Sequence, residues 1–109
     1  MYKATVCMTR KEDMSPEEYR EYYENSHAPR VDDLVGIREY TLTFTEGEDS
    51  PYDSVAELYF EDEAAYDRAM SSDLMSEPLG DPENFTKTDE MLLLAGEESV
   101  LIDTAAASN

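Results

Sequence analysis

The stretch from Ser15 to Tyr40, SPEEYREYYENSHAPRVDDLVGIREY, constrains the fold more than any other part of the chain. Ser15 can accept a hydrogen bond from a first-turn N–H, while Glu18, three residues on, reaches back to the Ser15 N–H as a capping box. Pro16 suits the first helical position, where its missing N–H costs nothing. Glu17 and Glu18 set negative charge against the positive end of the helix dipole. Tyr19, Tyr22, Tyr23 and Ser26 recur at three- and four-residue spacing and share one face, with Glu17, Arg20, Glu21 and Glu24 on the other. Pro29 disfavours the α conformation at Ala28, so the helix is expected to end around His27.

His27, the chain's only histidine, thus stands where helix gives way to loop, beside a face rich in tyrosine. Two readings stay open on residues alone. A lone histidine there can be a partly buried group that satisfies a carbonyl, or a proton carrier, since its ordinary pKa lies nearest neutrality.

The flanking segments alternate as strands do. In Tyr2 to Thr9, Tyr2, Ala4, Val6 and Met8 share one face and Lys3, Thr5, Cys7 and Thr9 the other. Cys7 reads as a small packing residue, because neither a helix N-terminus nor an adjacent cation activates it. Gly36 turns the chain into a second strand, Arg38 to Thr45, where Tyr40, Leu42 and Phe44 alternate with threonines. A polar hairpin loop over Glu46 to Asp53 leads to a third strand, Ser54 to Glu61. Asp62 caps a second helix with Ala65, Tyr66, Ala69, Met70 and Leu74 on one side. Met75 to Lys87, with its prolines and glycine, reads as loop, and the apolar run Met91 to Ala95 as a fourth strand that Gly96-Glu97-Glu98 interrupts. Ser99 to Ile102 is expected to extend toward a neighbouring subunit.

The order β-α-β-β-α-β predicts an α+β, ferredoxin-like domain with a four-stranded antiparallel sheet over residues 1–103, followed by a frayed tail at 104–109. Both helices cover one sheet face. The other face carries apolar groups such as Val55 and Tyr59, so two sheets packing together as a homodimer are expected.

Composition narrows the function classes. There are 27 acidic and 8 basic residues, a net charge of −19. Phosphate binding needs basic patches, so nucleic acid is not a partner expected of this chain. Acids spread over exposed faces, with few lysines, resemble cytoplasmic proteins of organisms that hold molar internal salt, where a screening length of about 3 Å mutes self-repulsion. A single cysteine leaves no intramolecular disulfide and no cysteine-rich zinc site. No leader and no long apolar run is evident, so a cytoplasmic location away from membranes is the expectation. No glycine motif for a nucleotide and no calcium loop is present, and no cofactor or metal is expected.

The pattern R-K-x-D-M-S-P-E-E-Y-x-x-Y-Y-x-x-S-H-A-P-x-V, followed by G-I-x-x-Y, resembles the EthD family, as do the later V-A-E-L-Y-F-E-D and D-x-x-x-F. The likeness covers residues 3 to about 95 and is most specific at the helix with H-A-P-x-V; Tyr23 stands where many relatives carry tryptophan. The resemblance implies a dimeric α/β barrel with a small-molecule pocket between sheet and helices, walled by Val6, Met8, Tyr19, Tyr22, Tyr23, Tyr40, Leu42, Leu58 and Phe60. It further implies a catalytic pair, His27 and Tyr40, matching residues of a lactone-isomerising relative. Arg30 is a possible anchor for a carboxylate, and Asp32 and Asp33 possible partners of an imidazolium. Glu57 is read as an ion pair with Arg38 or Lys3. Three functions follow in order: a cofactor-free isomerase or lyase moving a proton on a small cyclic or aromatic carbonyl compound, a binding or accessory protein without catalysis, and a haem-handling protein with His27 as axial ligand.

Overall fold

The computed structural model describes residues 1–47, 49–71 and 84–102. Leu74, the run Asp81-Pro82-Glu83 and the tail 104–109 lie outside them. The elements are β1 (Tyr2–Met8), α1 (Pro16–Tyr22), a π turn (Tyr23–His27), α2 (Ala28–Asp32), β2 (Ile37–Phe44), β3 (Ser54–Phe60), α3 (Glu63–Met70), a 3-10 turn (Thr88–Glu90) and β4 (Leu92–Glu97). The four strands form an antiparallel sheet in the order β2-β3-β1-β4, the ferredoxin-like arrangement.

The capping box forms as the sequence dictates: the Glu18 N–H donates to Ser15 Oγ at 3.1 Å and the Ser15 N–H donates to Glu18 Oε1 at 3.0 Å. Asp62 caps α3 through the Ala65 N–H at 2.8 Å. Gly36 turns the chain into β2 with φ +80°, a region that L side chains rarely adopt.

Pro29 does not stop the helix. The chain passes through a π turn, in which the Ala28 N–H donates to the Tyr23 carbonyl, and continues helically to Asp32. A proline cannot donate to the carbonyl four residues back, and its ring presses on that carbonyl; the wider π turn absorbs both. The turn also shifts the helical phase by one residue. Ser26 is therefore exposed, and His27 takes the inward position that the regular spacing assigns to Ser26.

The remaining differences are at ends. β2 begins at Ile37 and closes at Phe44, and β4 runs through Gly96 and Glu97 because both pair with β1, Gly96 opposite Lys3 and Glu97 opposite Tyr2. Val100, Leu101 and Ile102 lie beyond the strand and are largely exposed.

Alternation sets the two sheet faces. Ala4, Val6 and Met8 of β1, with Ala56, Leu58 and Phe60 of β3, turn toward the helices and meet Val31, Leu34, Ala65 and Ala69 in the core. The opposite face carries Lys3, whose ammonium lies 2.6 Å from Glu57 and 3.2 Å from Glu98, with the Tyr59 hydroxyl donating to Glu57 at 3.0 Å. Glu57 thus pairs with Lys3, and Arg38 with Glu61 at 3.1 Å. Among the described residues no helix is long and apolar enough to cross a membrane.

Candidate functional site

A cavity of about 110 Å³ lies between the helical layer and the inner sheet face. Its floor is Ala4, Val6 and Met8 of β1, Ala56 and Leu58 of β3 and Tyr40 of β2. Tyr23, His27, Val31 and Leu34 roof it from the helical side. Met70, Met91 and Leu93 complete the wall; Leu93 is half exposed, so the cavity meets the surface at β4.

His27 reaches this cavity because the π turn aims it inward. It is only 4% exposed. Its ring stands edge-on to Tyr23, with centroids 5.2 Å apart at 82°, and lies 5.2 Å from Phe85. Phe85 is fully buried and also packs on Tyr19, Tyr22 and Tyr23. Backbone pairing holds it there: the Lys11 N–H donates to the Phe85 carbonyl at 3.1 Å, the Lys87 N–H donates to the Thr9 carbonyl at 2.9 Å, and Arg10 bridges Thr86.

Tyr40 lies at the other side of the same space. Its hydroxyl oxygen is buried and makes no hydrogen bond. The Tyr23 phenol is near enough to influence its ionisation, though the two do not meet in hydrogen-bonding geometry. Burial pushes the Tyr40 phenol up to about 12, with the Asp32 charge adding to the rise and Tyr23 opposing it. Burial likewise raises Tyr23, helped by the neighbouring Tyr40. Both phenols stay protonated at neutral pH and are donors.

Of the residues expected to wall a pocket, Val6, Met8, Tyr23, Tyr40 and Leu58 line the cavity with His27. Tyr19, Tyr22, Leu42 and Phe60 do not. Tyr19 is one turn too early on the helix: its hydroxyl lies 2.6 Å from Ser54 Oγ, and its ring packs in a cluster with Met8, Tyr23 and Phe85 beside the cavity. Tyr22 flanks Phe85 at 4.9 Å, and its hydroxyl accepts from Asn84 Nδ2 at 3.4 Å. Leu42 packs beside the core, and Phe60 is sealed against Tyr66. Arg30 is exposed on α2, as are Asp32 and Asp33, because the helix continues past Pro29 and turns them outward. Val31, Leu34, Met70, Met91 and Leu93 line the cavity without having been among the expected walls; the spacing of Val31 and Leu34 becomes legible once the helix is known to run to Asp32. Among the described residues, no three His, Cys, Asp or Glu side chains converge as a metal site requires.

The fold and this cavity define a ferredoxin-like α+β protein with an aromatic-lined space behind its sheet. The EthD domain profile matches residues 11–89, and the chain belongs to the EthD family. No curated protein matches the sequence. Among solved structures, the chain is similar to an ethyl tert-butyl ether D (EthD) family protein from Bacillus halodurans, with 26% identity, a TM-score of 0.78, and coverage of 91% of this chain and 99% of that one. It also resembles SnoaB, a cofactor-independent oxygenase from Streptomyces nogalater, with 14% identity, a TM-score of 0.67 and coverage of 94% and 97%. A dimeric protein of ferredoxin-like fold from Bacteroides fragilis shares 7% identity with a TM-score of 0.68 and coverage of 89% and 95%. The latter two likenesses establish fold alone.

Proposed function

We propose that this protein is a cofactor-independent isomerase or lyase that moves a proton on a small cyclic or aromatic carbonyl compound. The observation that carries the reading is the pairing, in one apolar cavity, of an inward-facing imidazole and a buried phenol oxygen without a hydrogen-bond partner. An orphaned buried hydroxyl is unfavourable by about 1–3 kcal/mol and is satisfied when a ligand oxygen meets it. In the step envisaged, His27 takes a proton from the carbon next to a carbonyl. The electron pair of that C–H bond forms the carbon–carbon double bond of an enolate, the carbonyl π pair moves onto the oxygen, and the Tyr40 O–H donates a hydrogen bond to that oxygen. Return of the same proton at another carbon gives an isomer and restores His27, so the cycle needs no external reagent. Cofactor independence in SnoaB is compatible with such a cavity.

The protein is proposed to work as a homodimer joined through the open sheet face, where Leu92 and Leu94 lie exposed beside Cys7 and Thr5. A binding role without catalysis is the second reading, favoured by the predominantly apolar lining of the cavity. A haem-handling role fits poorly, since a cavity of about 110 Å³ suits a single ring rather than a porphyrin.

Hydrogen–deuterium exchange, followed by NMR over a panel of lactones and β-keto compounds, tests the reading. Exchange above buffer should vanish in His27→Ala and fall about 10- to 100-fold in Tyr40→Phe, with both variants folded. Absence of exchange with every compound, in the presence of measured binding, makes the protein a binding module.

A further inference from the structure

We infer that the cavity selects uncharged ring compounds bearing one hydrogen-bond acceptor and rejects carboxylates of the same size. The inference rests on the reading of this cavity as a ligand site and names the charge class of what enters it.

The chain has eight lysines and arginines, all among the described residues, and none lines the cavity. Lys3 is on the opposite sheet face, held by Glu57 and Glu98. Arg10 is spent on the β1–α1 loop, where it donates to the Met14 carbonyl at 2.6 Å and faces Asp53. Arg20, Arg38 and Lys87 pair with Glu24, Glu61 and Glu12 at the surface, and Arg30 and Arg68 are exposed on outward helix faces. Lys11 belongs to the β1–α1 loop, away from the lining.

An anion in the cavity would therefore meet apolar side chains, two phenols and the His27 ring, with no lysine or arginine to compensate its lost hydration. Burying an unpaired carboxylate in such surroundings is strongly unfavourable. The field of the whole molecule works in the same direction, since a net charge of −19 repels anions approaching the mouth at β4. A neutral carbonyl meets neither obstacle. Its oxygen supplies the acceptor that the Tyr40 hydroxyl lacks, and its ring matches a cavity of about 110 Å³.

The test is equilibrium binding of two near-isosteric probes, acetophenone and benzoate, at pH 8.5, where an ordinary imidazole is neutral. Isothermal titration or the shifts of the His27 ring protons supply the readout. Acetophenone should bind at least about 100-fold more tightly than benzoate. Tyr40→Phe should weaken acetophenone about 10-fold by removing one donor. Leu93→Lys places a cation at the half-exposed mouth, where it is tolerated, and should move the preference toward benzoate by at least about 10-fold. Benzoate binding within a few-fold of acetophenone, or binding of neither at millimolar concentration, overturns the inference. The preference persisting while no proton exchange occurs supports it and defeats only the catalytic reading.

Discussion

Tyr19, Tyr23 and Tyr40 all hold buried phenols, and burial raises the pKa of each. For Tyr40 the folded value is about 12 against an ordinary 10. A phenol that ionises less readily when folded binds its proton more tightly in the native state. Its contribution to stability is fully present below pH 10 and is lost as pH rises toward 12, amounting to about 3 kcal/mol for Tyr40. The melting temperature should fall steeply above pH 10, and Tyr40→Phe should flatten that fall. An equally steep fall in the variant would assign the alkaline transition to Tyr19 and Tyr23 alone. The Tyr19 hydroxyl has a different task, closing a buried hydrogen bond of 2.6 Å with Ser54. Ser54→Ala leaves that phenol unsatisfied and should cost about 1–3 kcal/mol in denaturant unfolding, without changing ligand affinity. At this scale the reach of the sequence is uneven. His27 stood out by residue type and position and Tyr40 through the family resemblance, whereas Tyr19 and Tyr23, both inward-facing on one helix, were not separable, because which of them reaches a cavity depends on what lies opposite.

The π turn is the element that aims His27. Its cause is local, a proline placed where a regular helix requires a donor, yet its consequence is a one-residue change of phase. Pro29→Ala restores the donor and permits the ordinary helical bond. Helical circular dichroism should then be unchanged and stability altered by no more than about 1 kcal/mol. The imidazole resonances, assignable at sight because His27 is the only histidine, should lose the ring-current shifts imposed by Tyr23 and Phe85. Unchanged resonances would mean that packing against Phe85, rather than Pro29, holds the turn. Regular elements were easier to read than this one. The Ser15 and Asp62 caps and the alternation of β1, β2 and β3 depend on near neighbours in sequence, and they stand within a residue or so of where they were expected. β4 outran expectation because Gly96 and Glu97 have poor strand propensity but a paired neighbour in β1.

For the whole molecule, charge and the open sheet face act together. Removing screening from a surface with a net charge of −19 opposes both compaction and the meeting of two copies. The melting temperature is expected to climb from dilute buffer to molar KCl, and sedimentation at micromolar concentration to show a dimer in high salt that dissociates as salt is withdrawn. A folded monomer at every salt concentration defeats the sheet-face dimer, and a flat melting curve shows that local pairs such as Lys3 with Glu57 already offset the repulsion.

By itself the sequence determined the order of strands and helices, the inward face of β1, β2 and β3 and the two helix starts, since all of these follow from periodicity and capping between close neighbours. It also determined the supply of charge, and hence that basic patches for phosphate are not expected, whereas the structure decided that none of the eight lysines and arginines lines the cavity. Only the tertiary structure decided which inward residues enclose space and which fill it. Phe60 and Leu58 alternate on the same strand face, but Tyr66 closes over Phe60 while Leu58 is left facing the cavity. Phe85 comes to His27 through pairing of residues far apart in the chain, Lys11 with Phe85 and Lys87 with Thr9. Such contacts arise when separate elements pack, and no local pattern encodes their distance.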